Sequence, residues 1–249
     1  MIRGLLASQA GMLSELERSE KLSADLANQT LPGYRRQLPV FETFGESMLS
    51  AWAGRSVSSV GSLGGGSRLA FTGLALEEGT VEETGHNTDL TLLSQGFLTV
   101  KTPSGLRYTR NGNLALADDG SLVTATGMPV LGRGGNSIKL AGIDFKVTPA
   151  GEVVAGDQVV DTLAVVRFDD DQALVHESDG LYTPTSRAGQ ARPAAEVVFR
   201  QGALEESNVN PIITMMSMMA AMRAYEANQK ALSAQDDILG KAVNEIGRV

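Results

Sequence analysis

Apolar residues near the C-terminal end recur at alternating steps of three and four: Met215, Met218, Met222, Tyr225, Gln229, Leu232, Asp236, Leu239, Val243 and Ile246. Eight of these ten positions are apolar, so the pattern predicts a helix with one side shaped as a seam for a partner. The same step at the N-terminus selects Ile2, Leu5, Gln9, Met12, Leu16, Ser19, Ser23 and Leu26, a weaker seam interrupted by small polar residues. A first helix is expected over residues 2–28. Leu31-Pro32-Gly33 breaks it, because proline lacks an N–H and glycine accepts positive φ. Asn210-Pro211 marks the start of the last helix: asparagine caps, and proline is favoured at the first helical position. That helix runs about 36 residues, or roughly 54 Å. Paired antiparallel with the first, it overhangs and leaves surface for neighbouring subunits.

Between the helices the pattern changes. Turn chemistry recurs every 8–12 residues or so from Leu69 onward, at Pro103-Ser104-Gly105, Asn111-Gly112, Asp118-Asp119-Gly120, Ala125-Thr126-Gly127 and Pro149-Ala150-Gly151. Short apolar runs lie between these turns, as in an all-β domain. The run 163–168 is the most hydrophobic and is expected to be the central strand. Residues 56–67 are almost all Ser, Gly and Val and read as a flexible connector. Gly64-Gly65-Gly66 lacks the Lys-Ser/Thr ending of a phosphate loop. The expected fold is α+β: terminal helices paired as a coiled-coil stem, with a central hairpin-rich all-β domain. Its divisions are an N-terminal stem segment 1–36, a connector 37–68, a β-rich body 69–204 and a C-terminal stem segment 205–249.

Charge sharpens this division. The net charge is −8, yet residues 1–36 carry +1 and residues 201–249 carry −2, leaving −7 on residues 37–200. The body carries the repulsion that favours solubility, and the ends are nearly neutral and free to associate. An acidic body argues against binding a nucleic-acid backbone. No apolar run approaches the ~18 residues of a membrane span, and residues 1–10 lack the apolar core of a cleavable leader. The chain has no cysteine, which excludes disulfides, thiol catalysis and Cys-ligated metals.

Catalytic chemistry finds no anchor. His86 and His176 stand without partners at metal-helix spacing and are expected on the surface or in loops. Asp169-Asp170-Asp171 lacks the alternating ligands of a calcium loop and reads as a solvated turn. No Gly-x-Ser-x-Gly elbow is present. No enzyme activity, cofactor or metal is expected.

Three blocks carry a resemblance to one family. Leu26-Ala27-Asn28 followed by Pro32-Gly33-Tyr34-Arg35-Arg36 is the first. The second is Asp89-Leu90-Thr91-Leu92, with Gly96-Phe97 and Tyr108-Thr109-Arg110-Asn111-Gly112. The third is Leu204-Glu205, Ser207-Asn208-Val209-Asn210 and Arg223-Ala224-Tyr225-Glu226-Ala227-Asn228. In this order they resemble the signatures of the flagellar axial proteins, in particular basal-body rod proteins of the proximal and distal (FlgF/FlgG-like) type. The chain departs from the pattern at Asp25, at Thr30 and at Ser94, where the family has Asn, a later Thr and Gly. The length and the run 127–132 lean to the proximal type, and the block at 223–228 leans to the distal type.

The resemblance implies a structural subunit exported unfolded through the flagellar type III apparatus, without a cleaved signal peptide. It then polymerises through its terminal helices into a helical tube across the periplasm. Its partners would be copies of itself, other rod subunits and the hook protein, with no nucleic acid and no membrane insertion. The expected assembly interface comprises Leu5, Met12, Leu16, Leu26, Asn28, Gly33 and Tyr34 from the N-terminal part. From the C-terminal part it comprises Met215, Met218, Met222, Tyr225, Leu232, Leu239, Val243 and Ile246. Unbranched methionines suit contacts with non-identical neighbours. Alternative readings are a hook or hook-junction protein, or a cell-wall-binding β-domain on a coiled-coil stem, for which Trp52 is the one tryptophan platform.

Overall fold

The computed structural model describes residues 2–43, 66–142 and 144–246, excepting the side chains of residues 2, 3, 245 and 246. Helix α1 (Ile2–Ala27) and helix α2 (Pro211–Ile246) occupy the two ends, with β-structure between them. The chain divides into two units, each built from separated stretches of sequence. The first comprises residues 1–26, 37–72 and 210–249, and the second residues 27–36 and 73–209.

Helix α2 starts at the predicted cap. The Asn210 side-chain oxygen accepts from the N–H groups of Ile212 at 3.1 Å and Ile213 at 3.2 Å, satisfying donors that have no partner within the helix. Helix α1 ends one residue before the predicted 28. The Leu31 N–H then turns back to the Asn28 carbonyl at 3.1 Å.

In the first unit, α1 is accompanied by β1 (Gln37–Thr43) and β2 (Ser67–Leu74), which form a two-stranded sheet. Ser14 ties α1 to β2, its hydroxyl lying 2.8 Å from that of Ser67 and 3.0 Å from the Ser67 carbonyl. The Arg18 guanidinium sits 5.3 Å over the Phe41 ring, and the fully buried Asp25 accepts from the Gln37 N–H at 3.0 Å. Of the expected connector, residues 37–43 and 67–68 are therefore strand. Residues 44–65, with Trp52 and most of the Ser/Gly tract, lie outside the described residues.

The second unit is built on a six-stranded sheet. In spatial order its strands are β13 (Leu174–His176), β14 (Leu181–Pro184), β6 (Gly105–Thr109), β5 (Phe97–Thr102), β12 (Val165–Arg167) and β15 (Arg192–Pro193), all neighbours antiparallel. The run 163–168 is thus not the central strand. Only three of its residues are extended, next to the edge, and the centre belongs to the β5–β6 hairpin. Strand β5 holds that place because both of its faces are buried. Leu98 and Val100 enter a large aliphatic core with Leu90, Leu122, Val130 and Leu163. Phe97 enters a smaller aromatic one with Tyr108, Phe168 and Tyr182.

Short ladders surround this sheet. Strand β3 (Val81–Glu83) pairs with β17 (Ala203–Glu205), and β4 (Leu90–Leu92) with β16 (Phe199–Gln201). Strand β7 (Leu114–Leu116) pairs with β8 (Leu122–Thr124), and β9 (Phe145–Val147), β10 (Glu152–Ala155) and β11 (Gln158–Thr162) form a meander. The ladders β3–β17 and β4–β16 join the first part of this unit to its last, which places residues 203–209 beside the incoming segment 27–36.

Candidate functional site

Two buried guanidinium groups share one buried carboxylate in the second unit. Arg35 approaches Glu205 Oε1 at 2.6 Å and Arg110 approaches Oε2 at 3.0 Å. All three residues are at least 95% shielded from solvent. Arg110 also donates to the carbonyls of Leu92 at 2.8 Å, Ser94 at 3.1 Å and Gly96 at 2.7 Å, and the Gly79 N–H donates to Glu205 at 3.1 Å. Burial, and then the like charge of Arg110, hold the Arg35 pKa below its usual value, against the opposing pull of Glu205. Isolated charges would not survive such desolvation, and the shared carboxylate with its carbonyl acceptors compensates it.

The backbone closes the same junction. Gly33 N–H donates to the Glu205 carbonyl at 2.7 Å, Arg36 N–H to Asn208 Oδ1 at 2.7 Å, and Asn208 Nδ2 to the carbonyls of Ala75 at 3.2 Å and Glu77 at 2.8 Å. Gly33 adopts φ +69, and a Cβ there would lie 2.4 Å from the Arg110 carbonyl oxygen. Gly112 is needed for a different reason, since its Cβ would lie 1.5 Å from the Leu90 carbonyl oxygen. Parts of all three sequence blocks that carry the family resemblance, residues 33–36, 110 and 205–208, therefore meet at one buried point, where the chain comes into the β-rich unit and leaves it. Arg35, Arg110, Glu205 and Asn208 were not singled out from sequence, although each lies within a quoted block. The available signal was a charged residue in each of three otherwise apolar or turn-forming motifs.

Tyr34 is fully buried beside this junction and packs edge-on to His176, with ring centroids 4.9 Å apart. His176 is consequently not a surface or loop residue: it lies on β13 between Tyr34 and Tyr182. His86 does lie in an exposed loop. The aspartate run is not simply a solvated turn either. Asp170 caps a one-turn 3-10 helix (Asp171–Ala173), and Asp171 is buried, accepting from the Phe168 N–H at 2.7 Å and pairing with Arg167 at 3.3 Å. Among the described residues no cluster of acidic or histidine side chains is arranged to hold a metal ion.

In the first unit, the face of α2 most shielded from solvent follows a seven-residue row: Thr214 and Ala221 are buried, and Asn228 and Gln235 are half-buried. Asn228 lies against Gly11 and Gln235 against Gly4, so that a Cβ at either glycine would come within 2.8 Å of an amide atom. As one helix advances by seven residues the other retreats by seven, so they pass in opposite directions. The predicted seam lies partly off this row. Met218, Leu232 and Leu239 are half-buried, whereas Met215 (49% exposed), Met222 (54%), Tyr225 (39%) and Val243 (73%) are open. Residues 215, 222, 229, 236 and 243 stand about 100° around the helix from the shielded row. On α1, Leu5, Met12 and Leu26 are half-buried and Leu16 is exposed. Asn28 is half-buried and Gly33 and Tyr34 are buried, and these three belong to the second unit. The Ile246 side chain lies outside the described residues.

Of the twenty large hydrophobic residues exposed among the described residues, twelve lie on α1 and α2. A soluble monomer seldom concentrates apolar surface in this way without an interaction to serve. No described helix is long and apolar enough to cross a membrane.

Two family models match parts of the chain. The family described as "Flagellar hook protein FlgE/F/G D1 domain" matches residues 92–155, which include Arg110. The family described as "Flagellar basal body rod FlgEFG protein C-terminal" matches residues 200–245, which include Glu205 and most of α2. The chain is 33% identical over 197 residues to the flagellar basal-body rod protein FlgF of Caulobacter vibrioides, covering 75% of this chain and 79% of that one. It is 28% identical to the flagellar hook-basal body complex protein FlhO of Bacillus subtilis over the whole of both chains. To the flagellar basal-body rod protein FlgG of the same organism it is 27% identical, over 98% of this chain and 99% of that one. With the motifs joined in one buried junction and relatives matching nearly end to end, the chain belongs to the FlgF/FlgG-like family of flagellar basal-body rod proteins, structural components of the flagellum rather than enzymes.

Proposed function

We propose that this rod protein polymerises through its terminal helices, paired as a coiled-coil stem, into a helical tube that crosses the periplasm and serves as a drive shaft. The observation that carries this reading is the open apolar row on α2, Met215 and Met222 above all, beside a shielded row that already faces α1. A helix with one covered and one open apolar side has a surface left for a second subunit. Repetition of one such heterologous contact generates an open helical assembly rather than a closed ring. Leu5, Met12, Leu16, Leu26, Met215, Met218, Met222, Tyr225, Leu232, Leu239, Val243 and Ile246 form the assembly surface in this reading. Asn28, Gly33 and Tyr34 fix the segment that follows α1. The absence of cysteine suits a subunit exported unfolded through the type III apparatus to an oxidising compartment. Its partners are further copies of itself, other rod subunits and the export apparatus.

The test is substitution of the open row with the fold left intact. Met215→Ser with Met222→Ser removes apolar surface that is about half exposed in the monomer, so far-UV circular dichroism and monomer melting should hardly change. Incorporation into purified basal bodies, and with it swimming motility, should be lost. Normal incorporation of the double variant would overturn the proposal.

A further inference from the structure

We propose that His176 is an acid-sensitive latch that holds the incoming segment, residues 31–36, against the β-rich unit. His176 stands directly opposite Tyr182 in the β13–β14 register, with ring centroids 5.6 Å apart, and its other contact is Tyr34 at 4.9 Å. Both tyrosines are fully buried. The Tyr182 hydroxyl accepts from the Arg35 N–H at 2.9 Å, so the ring stack leads directly to the Arg35–Glu205–Arg110 junction. The imidazole Nε2 is itself buried and has no hydrogen-bond partner among the described residues.

A neutral imidazole can leave Nε2 as an unused acceptor. The imidazolium cannot, because it places an N–H and a positive charge at that position with no acceptor to receive them. The groups around the ring decide whether the cation is nonetheless tolerated. From the incoming segment and from β14 its ring contacts are Tyr34 and Tyr182, with the Arg35 charge beyond the latter. From its own strand end, Glu177 and Asp179 favour the charged form. Glu177, however, is held by Arg107 at 2.8 Å and Thr183 at 2.6 Å on the exposed side. Burial is the larger influence, and it lowers the His176 pKa below the usual value.

The direction of the pH effect follows. A histidine whose folded pKa is depressed binds its proton more readily in the unfolded chain. Its contribution to stability is therefore complete above the unfolded value of about 6.5 and is lost progressively as pH falls toward the folded value. The consequence is local first: Tyr34 loses its seat, and the Arg35 and Gly33 amides lose their protection. A subunit that leaves the buffered cytoplasm meets such conditions whenever the medium is mildly acidic.

The experiment uses the full-length monomer. With only two histidines in the chain, the imidazole resonances of His176 in NMR spectra are assigned by comparison with the His86→Gln variant. His176 should titrate below the usual histidine value of about 6.5, the Tyr34 and Tyr182 ring signals should shift with it, and the protection factor of the Arg35 amide should fall over the same range. The urea midpoint should drop between pH 7.5 and pH 5 in the wild type and in His86→Gln. It should be flatter in His176→Phe and in His176→Gln, the second variant guarding against a packing defect in the first. Titration of His176 at or above about 6.5, or an Arg35 amide whose protection does not follow it, would overturn the latch. So would equal pH dependence in the wild type and both His176 variants.

Discussion

Gly33 and Glu205, 172 positions apart in sequence, are joined by a 2.7 Å backbone hydrogen bond from the Gly33 N–H to the Glu205 carbonyl. The Glu205 side chain is at the same time the shared counter-ion of Arg35 and Arg110. The contact fixes where the polypeptide comes into the β-rich unit relative to where it leaves. In a protein whose two ends are long helices, those are the two places that most need to be held.

Glu205→Gln keeps the shape of the side chain and removes the charge between two buried guanidinium groups. Removing one partner from a buried ionic cluster typically costs about 3–5 kcal/mol, and urea unfolding followed by circular dichroism should show a loss of that size. The exposed pair Arg68–Glu42, at 2.5 Å, is the comparison. Glu42→Gln should cost less than about 1 kcal/mol, because solvent already screens it.

Arg110→Lys is not a conservative change here. The guanidinium spans Glu205 and three backbone carbonyls in different directions, which a single ammonium cannot do. Each buried acceptor left without a donor costs about 1–3 kcal/mol. The melting temperature of Arg110→Lys should therefore fall well below that of the wild type, although the charge is preserved.

Gly33→Ala combines a left-handed backbone with a Cβ directed into the Arg110 carbonyl. Conformation alone costs on the order of 1 kcal/mol, and backbone atoms on both sides leave no flexible side chain to move aside, so the measured loss should exceed that several-fold. Gly142→Ala, where nothing among the described residues lies within 4 Å and φ is outside the left-handed region, should unfold at nearly the wild-type urea concentration.

Asn210→Ala removes the acceptor for two N–H groups at the start of α2. The expected cost is about 1 kcal/mol, confined to the helical signal in a thermal melt. Asn210→Asp should restore it.

The last helix was legible to the residue, because capping is local chemistry: Asn210 and Pro211 act on the next three residues and need nothing distant. The hairpin turns around Gly105, Gly120, Gly127 and Gly151 were legible for the same reason, and each of these glycines has positive φ. Of the expectations about the β-rich unit that failed, two did so because they concern neighbours. The run 163–168 is the most hydrophobic stretch, yet β5 is central, since strand order depends on which hairpins pair across the unit. His176 has no unusual sequence neighbours, and only the β13–β14 register and the incoming Tyr34 bury it.

By itself the sequence determined the two terminal helices, the β-rich interior, the uneven charge and the motifs that carry the family resemblance. These are set by periodicity, local capping and composition, which act within a few residues. Only the tertiary structure decided that Arg35, Arg110 and Glu205 form one buried ionic junction. It alone showed that the shielded side of α2 is the row Thr214, Ala221, Asn228 and Gln235, with Met215 and Met222 left open. An apolar period says that a helix has a side to bury. Which residues are covered first depends on what approaches them, and here small Gly4 and Gly11 on α1 admit the amide side chains of α2 while Met215 and Met222 remain exposed.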